Sequence, residues 1–221
     1  MEIIFKRNYE WALAPIKRCV LPLDKENQQL LANNFRWLRA GRRKEQCSPW
    51  RVAQSIGWDI LSPIDITMKP IDDTALRANE NEISEIVSKL GSKSVWNRQG
   101  EIIALSDDWL SLYQFRGKGD NWEAMLIPNG ERSIEWRLGL SIEIPNDYSI
   151  LVFQKQWQRS YNLLTGILTS KQLKKMEDIS GFSVAIEPLE NFKLSRGDVV
   201  ASILLIPNNT FNHEHRVVDI Y

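Results

Sequence analysis

One segment of the chain has a large apolar side chain at every second position, from Ile134 to Ile144. Successive side chains of a β-strand point to opposite faces, so this period of two predicts a strand with one buried and one solvated face. At about 3.3 Å per residue, residues 133–144 would span about 40 Å, which is long for a strand. We therefore expect a bend, and Gly139 in the middle is the residue that best permits one. The six apolar residues are Ile134, Trp136, Leu138, Leu140, Ile142 and Ile144.

The rest of the chain after residue 100 also predicts mostly strands. Asn129-Gly130 is typical of a tight hairpin turn, and Gly117-Lys118-Gly119-Asp120 is typical of another turn. The fold expected is a β-rich α+β protein, either a β-sandwich or a distorted jelly roll, with two or three peripheral helices. The predicted strands are 101–105, 109–115, 124–127, 133–144, 149–154, 182–186 and 199–206.

Three helices are predicted before residue 100, beginning near Asp24, Ser48 and Asn81. Each begins at or near a residue that favours helix starts and is followed by glycine, which favours helix ends. We expect a single domain over residues 1–221. Its parts would be an N-terminal helix and strand portion (1–71), a peripheral helical insertion (72–99), a β-rich core (100–207) and a tail (208–221).

The composition limits the classes of partner. Lys and Arg together number 28, as do Asp and Glu, so the formal net charge is zero. A balanced charge argues against broad electrostatic binding to nucleic acid. No apolar run approaches the length of about 18 residues that a membrane span needs, and the first residues lack the pattern of a signal peptide. We therefore expect a cytoplasmic protein with no membrane partner, and its two cysteines as reduced thiols.

Histidine chemistry has little material in this sequence. The two histidines, His213 and His215, would share one face if they lay on a strand, as in metal-dependent oxygenases of the β-sandwich class. The alternative is an exposed polar tail, which we favour, so we expect no metal and no cofactor. Without this pair the chain has no histidine for a Ser/His/Asp or Cys/His arrangement.

One junction between a predicted helix and a predicted strand brings together residues suited to a ligand. Trp50 and Arg51 lie in the helix, and Trp58 and Asp59 begin the strand. Tryptophan and arginine can hold a planar or anionic group. The alternative is a packed corner that contains a buried ion pair.

The C-terminal half contains Gly166-Ile167-Leu168, then Arg196-Gly197-Asp198-Val199-Val200-Ala201, with Arg159-Ser160 ahead of both. Over about residues 140–207 this pattern resembles the end of the deoxyuridine triphosphatase (dUTPase) β-fold. The resemblance implies a dUTPase-like fold, makes Arg159 and Ser160 candidate ligand contacts, and allows a homo-oligomer. Residues 19–70 look more like an uncharacterised bacterial family of unknown function.

The chain departs from the dUTPase pattern at Thr169. In that family the Gly-hydrophobic-hydrophobic triplet is followed by an aspartate that holds the nucleophilic water, and a threonine cannot act as that base. We therefore expect a non-catalytic binding or interaction protein whose partner is a small molecule or a protein. The alternatives are a nucleotide-like small-molecule binding or hydrolysing enzyme, with Trp50, Arg51, Trp58, Asp59, Arg159 and Ser160 as contacts, and a metal-dependent oxygenase that uses His213 and His215.

Overall fold

The computed structural model describes residues 2–19, 29–30, 33–34, 47–77, 80–98, 100–154 and 159–212. Its strands are β1 (Ile4–Arg7), β2 (Ile16–Lys17), β3 (Trp58–Leu61), β4 (Ile66–Met68), β5 (Asp73–Leu76), β6 (Ser94–Arg98), β7 (Glu101–Leu105), β8 (Gln114–Arg116), β9 (Trp122–Ala124), β10 (Leu126–Gly130), β11 (Ser133–Glu143), β12 (Tyr148–Phe153), β13 (Tyr161–Leu163), β14 (Gly166–Thr169), β15 (Phe182–Pro188), β16 (Phe192–Leu194) and β17 (Val199–Pro207). Its helices are α1 (Ser48–Ser55), α2 (Glu80–Leu90) and α3 (Ser170–Ile179), with 3-10 turns at Trp109–Leu112 and Asn208–Asn212.

Two five-stranded antiparallel sheets dominate the described residues. Sheet I has the order β1-β11-β15-β13, with β10 also paired to β11, and sheet II has the order β14-β12-β17-β3-β2. The two sheets are joined directly, because the buried Tyr161 of sheet I donates a hydrogen bond of 2.8 Å to the carbonyl oxygen of Val200 in sheet II. The β-rich α+β fold with a few helices is therefore confirmed. None of the helices in the described ranges is long and apolar enough to cross a membrane.

Strand β11 is the centre of sheet I, and its predicted apolar face is buried. The prediction that its other face is solvated is wrong: Ser141 is buried there, because the N-terminal segment packs over it through Asn8 and Trp11. Ile134, Trp136 and Leu138 are almost completely buried. The expected bend lies at Gly139, which has a φ of +69°, and the register against β15 shifts between Arg137 and Leu140. Glycine is suited to this point because its φ lies in the left-handed region, which other residues avoid.

Glycine is required at this bend for a second reason, because the indole of Trp11 packs against it and leaves no room for a side chain. A Cβ atom placed on Gly139 would lie 2.6 Å from Cη2 of Trp11. The same indole stacks on Tyr9, with ring centroids 5.1 Å apart, and contacts Phe115 at the same centroid distance. The N-terminal segment is thus packed closely over the middle of β11.

The helix predictions are confirmed for α1 and α2, with small differences at their ends. The N-cap of α1 is Cys47 rather than Ser48, and Pro49 lies in its first turn. Of the helix predicted after Asp24, only residues 29–30 and 33–34 are described, and they are helical. The predicted division into four parts within one domain stays a prediction.

Two segments after residue 100 differ from the prediction: one predicted strand is in part a 3-10 turn, and one helix was not predicted. In the predicted strand 109–115, Trp109 and Leu110 are both buried, and a strand would point these neighbours to opposite faces. The chain instead forms a 3-10 turn there, and β8 follows. The second segment is α3, which begins at a capping box in which Thr169 and Gln172 exchange hydrogen bonds.

The hairpin predicted at Asn129-Gly130 is present, but its turn lies slightly later in the chain. Gly130 pairs with Ser133, so the two residues of the loop are Glu131 and Arg132, both with positive φ. Positive φ at both central residues is characteristic of a type I′ turn, whose backbone twist matches that of the two strands of a hairpin. The pairing register of β10 and β11 shifts between Pro128 and Gly130, and this irregularity accommodates the later position of the turn.

Candidate functional site

Asp59 on β3 forms a largely buried ion pair, but its partner is Arg18 rather than Arg51. Nε of Arg18 lies 3.5 Å from Oδ1 of Asp59, and the two side chains are only 7% and 16% exposed. The same carboxylate oxygen accepts a hydrogen bond of 2.6 Å from the hydroxyl of Ser202, which lies opposite Asp59 in the register of β17 and β3. One carboxylate oxygen of Asp59 thus contacts two neighbouring parts of the fold, Arg18 after β2 and Ser202 of β17.

Arg18 also attaches helix α1 to sheet II. Its Nη2 donates a hydrogen bond of 2.8 Å to Oε1 of Gln54 on α1, and its guanidinium lies 5.9 Å from the ring centroid of Phe153 on β12. One cation therefore joins the helix, β3 and β12 at this corner. These contacts favour the packed-corner interpretation of the junction over a ligand site.

The remaining residues of the predicted site do not converge on one point. Trp58 and Asp59 are consecutive in β3, so their side chains lie on opposite faces of sheet II. Trp58 packs edge-on against Phe5 at a centroid distance of 5.7 Å, and Nζ of Lys17 lies 3.9 Å from its ring centroid. Trp50 and Arg51 lie on α1 and are half-buried.

Arg159 and Ser160 lie just before β13, in sheet I, whereas Trp58 and Asp59 lie in sheet II. Arg159 is exposed, and the hydroxyl of Ser160 donates a hydrogen bond of 2.7 Å to Oε1 of Glu190. A shared ligand role for the six predicted residues stays a prediction.

The two histidines, His213 and His215, lie outside the described residues. Within the part of the chain that the structure describes, no group of three His, Cys, Asp or Glu side chains is placed to hold a metal ion. The oxygenase alternative therefore also stays untested.

A cavity of about 200 Å³, partly open to solvent, is lined by strands of both sheets and by helix α3. Its walls are mostly apolar, with three polar side chains among them. Strands β11 and β15 bring Glu135 opposite Ala185, and β12 and β14 bring Val152 opposite Gly166. The lining residues are Asn129, Glu135, Val152, Leu164, Gly166, Leu168, Met176, Ser183, Val184 and Ala185.

The charged side chain at this cavity is Glu135, and Arg98 of β6 holds it in place. Nη2 of Arg98 donates to Oε2 of Glu135 and, at 3.4 Å, to the amide oxygen of Asn129. Burial, and next the positive charge of Arg137, lower the pKa of the Arg98 guanidinium. No described residue forms a hydrogen bond with Oε1 of Glu135 or with the hydroxyl of Ser183.

Sequence reasoning missed this cavity because its walls come from segments far apart in the chain. Glu135 stands between Ile134 and Trp136 on the face of β11 predicted to be solvated, yet its side chain is only 16% exposed. The sequence contains one signal of this site. Glu135 and Arg137 carry opposite charges on the same face of a central strand, and a face that is merely solvated does not need opposite charges.

The fold defines a β-rich α+β protein, and the comparisons with known proteins concern only this fold. No family model matches the chain, and no curated protein matches it. The chain is similar in structure to a mutant dUTPase from phage phi11 of S. aureus, with 8% sequence identity, a TM-score of 0.42, and coverage of 100% of this chain and 97% of that one.

Two other dUTPase structures give similar values. The dUTPase of Staphylococcus bacteriophage 80alpha has 10% identity and a TM-score of 0.39, over 100% of this chain and 97% of that one. The EIAV dUTPase has 12% identity and a TM-score of 0.35, over 76% and 86% of the two chains. The predicted remote resemblance to the dUTPase fold is thus confirmed as a resemblance of fold alone. The likeness of residues 19–70 to an uncharacterised family stays a prediction.

Proposed function

We propose that this protein is a binding protein that takes a small, largely apolar ligand into the cavity lined by residues of both sheets and of helix α3. The observation that supports this most directly is the cavity itself, of about 200 Å³. Dry apolar cavities of about 150 Å³ are large enough to hold benzene. The space therefore suits one ring with a short substituent.

The walls of the cavity favour binding by burial of apolar surface. Leu164, Leu168 and Val152 present aliphatic groups, and Met176 of α3 adds an unbranched side chain that adapts its shape to different occupants. Removal of apolar ligand surface from water contributes about 25 cal/mol per Å². For a ligand of a single ring we expect a dissociation constant in the millimolar range or just below, because so few atoms take part.

The experiment is to fill the cavity and follow binding of one defined probe. Benzyl alcohol is titrated into the wild-type protein and into Ala185→Leu, with two-dimensional amide NMR to measure the dissociation constant. Ala185 lines the cavity, and its partner in the register is Glu135. The matched control is Ala75→Leu, an exposed position on β5 that does not line the cavity. We expect Ala185→Leu to abolish saturable binding and Ala75→Leu to leave it unchanged.

Equal binding by wild type and Ala185→Leu, or no binding by wild type, contradicts the proposal. The same titration is repeated with dUTP, with and without Mg²⁺, because the sequence resemblance makes a nucleotide-like ligand the alternative. Binding of dUTP that Ala185→Leu does not affect would favour that alternative at a different site. The expected cytoplasmic location and the possible homo-oligomer stay predictions, and light scattering of the purified protein tests the oligomer.

A further inference from the structure

Glu135 is the charged side chain among the residues that line the cavity. It lies on the central strand of sheet I, between the fully buried Ile134 and Trp136, which point to the opposite face. The backbone at this point is therefore fixed by two well-packed neighbours. The carboxylate can move only by rotation of its own side chain, and the bond from Arg98 restricts that rotation.

The two oxygen atoms of this carboxylate are in different situations. Oε2 accepts a hydrogen bond from Arg98, whereas Oε1 receives none from the described residues. An ionised carboxylate can only accept hydrogen bonds. A polar group of a ligand that meets Oε1 must therefore be a donor, an O–H or an N–H.

The surrounding charges decide whether that donor is charged. Arg98 already balances Glu135, and Arg137 lies two residues further along the same face of β11, where its Nη1 is 3.3 Å from Oε2 of Glu123. A cationic ligand at Glu135 would approach two guanidinium groups. An anionic ligand would approach the carboxylate directly. Both arrangements cost free energy in a partly buried site, and an uncharged donor avoids both.

We propose, on the basis of the function proposed above, that Glu135 selects uncharged ring ligands with one O–H or N–H donor. The hydroxyl of Ser183, which has no partner among the described residues, supplies a second group to the same part of the ligand. The chemical class of the ligand is thus a neutral aromatic or alicyclic alcohol, amide or heterocycle with one ring.

The test compares four ligands that share one ring and differ in their polar group: benzyl alcohol, benzyl methyl ether, benzylammonium and benzoate. All four are titrated into the wild-type protein by amide NMR. A hydrogen bond to an ionised group is among the stronger ones, so we expect the alcohol to bind about tenfold more tightly than the ether. We expect the ammonium ion and benzoate to bind more weakly than the alcohol by at least about the same factor.

The variant Glu135→Gln removes the charge but keeps the size of the side chain. We expect it to reduce the preference for alcohol over ether from about tenfold to about twofold. The matched control is Glu143→Gln on the same strand, where the carboxylate pairs with Lys6 at the surface and does not line the cavity. We expect this control to keep the wild-type preference. Because the ligand series on the wild-type protein needs no variant, the proposal stays testable if Glu135→Gln fails to fold.

The possible failures are distinguishable. If none of the four ligands binds, the proposed function is wrong, and this inference with it. If alcohol and ether bind equally well to wild type, and Ala185→Leu abolishes both, the cavity binds ligands but Glu135 does not select them. If benzylammonium or benzoate binds most tightly, the argument from the surrounding charges is wrong. If Glu143→Gln alters the preference as much as Glu135→Gln, the selection does not originate at Glu135.

Discussion

The bend of β11 gives the sharpest test of how the fold is held together, through the substitution Gly139→Ala. Gly139 has a φ of +69°, and an added Cβ would lie 2.6 Å from Trp11. The substitution therefore introduces two separate costs, one in the backbone and one in packing. A second glycine separates them: Gly91, after helix α2, has a φ of +64° and no atom within 4 Å of its added Cβ.

The backbone cost is that of an alanine in the left-handed region, about 1–2 kcal/mol, and it applies to both glycines. At Gly139 the indole of Trp11 must also move away from the new methyl group. That movement disturbs the stacking of Trp11 on Tyr9 and its contact with Phe115. Each aromatic pair is worth about 0.5–1.5 kcal/mol. We therefore expect Gly139→Ala to lower the free energy of unfolding by about 2–4 kcal/mol, and Gly91→Ala by about 1–2 kcal/mol.

The assay is urea unfolding followed by far-ultraviolet circular dichroism, because nine tryptophans make fluorescence a mixed signal. With a slope of about 2 kcal/mol per molar urea, the difference between the two variants corresponds to a shift of about 0.5–1 M in the midpoint. In a Trp11→Leu background, the extra cost of Gly139→Ala should largely disappear. If Gly139→Ala and Gly91→Ala cost the same within about 0.5 kcal/mol, the close packing of Trp11 does not limit this position.

Three further predictions concern polar contacts. Asp59→Ala should lower the free energy of unfolding by about 3–5 kcal/mol, because it leaves the buried Arg18 cation without its ion-pair partner. Glu85→Ala, which removes an exposed ion pair with Lys89 on helix α2, should lower it by less than about 1 kcal/mol, and urea unfolding measures both. Burial raises the pKa of Tyr161, so the stability from its neutral phenol is complete below the ordinary pKa of about 10 and decreases as the pH rises above it. Thermal unfolding between pH 8 and 11 should show this decrease, and Tyr161→Phe should reduce it; an unchanged slope contradicts the prediction. Thr169→Ala removes the capping box of α3 and should lower the free energy of unfolding by about 1 kcal/mol. An unchanged midpoint of urea unfolding would show that this cap does not stabilise the protein.

The sequence predicts those parts of the fold in which one local pattern decides the structure. The alternation from Ile134 to Ile142 correctly predicts one buried face of β11, because this depends only on the strand itself. That the opposite face is covered too was not predictable, because the residues that cover it lie elsewhere in the chain. The bend at Gly139 is predictable for the same reason, since a long strand with glycine on its polar face has one obvious place to turn.

The elements that the sequence did not predict depend on competition between local patterns. Helix α3 has a single buried residue, Leu173, so its apolar stripe is too narrow to be recognised. Its clearest signal was the capping box of Thr169 and Gln172, which a comparison with the dUTPase pattern led us to interpret as a lost catalytic position. At Trp109–Leu112 two adjacent buried side chains resemble a strand in composition but require a helical turn in space.

The candidate sites were least predictable, because each depends on partners distant in the chain. Asp59 pairs with Arg18 since β2 and β3 are adjacent in sheet II, and nothing in the spacing of these residues indicates that register. The cavity requires Glu135, Leu168 and Met176 to meet from three elements. A polar residue in an alternating strand shows only that one face of the strand is more polar than the other. It does not show which other elements of the fold cover the polar face.

The position of β17 in sheet II has a consequence for the order in which this protein can be made. Strand β17 lies between β12 and β3, so the last strand among the described residues joins two strands that come before it. During synthesis, β3 and β12 have no common partner until residues beyond 199 have left the ribosome. Sheet II is thus completed only after β17 has emerged, and a chain interrupted before this strand would expose the unpaired edges of both neighbours to aggregation.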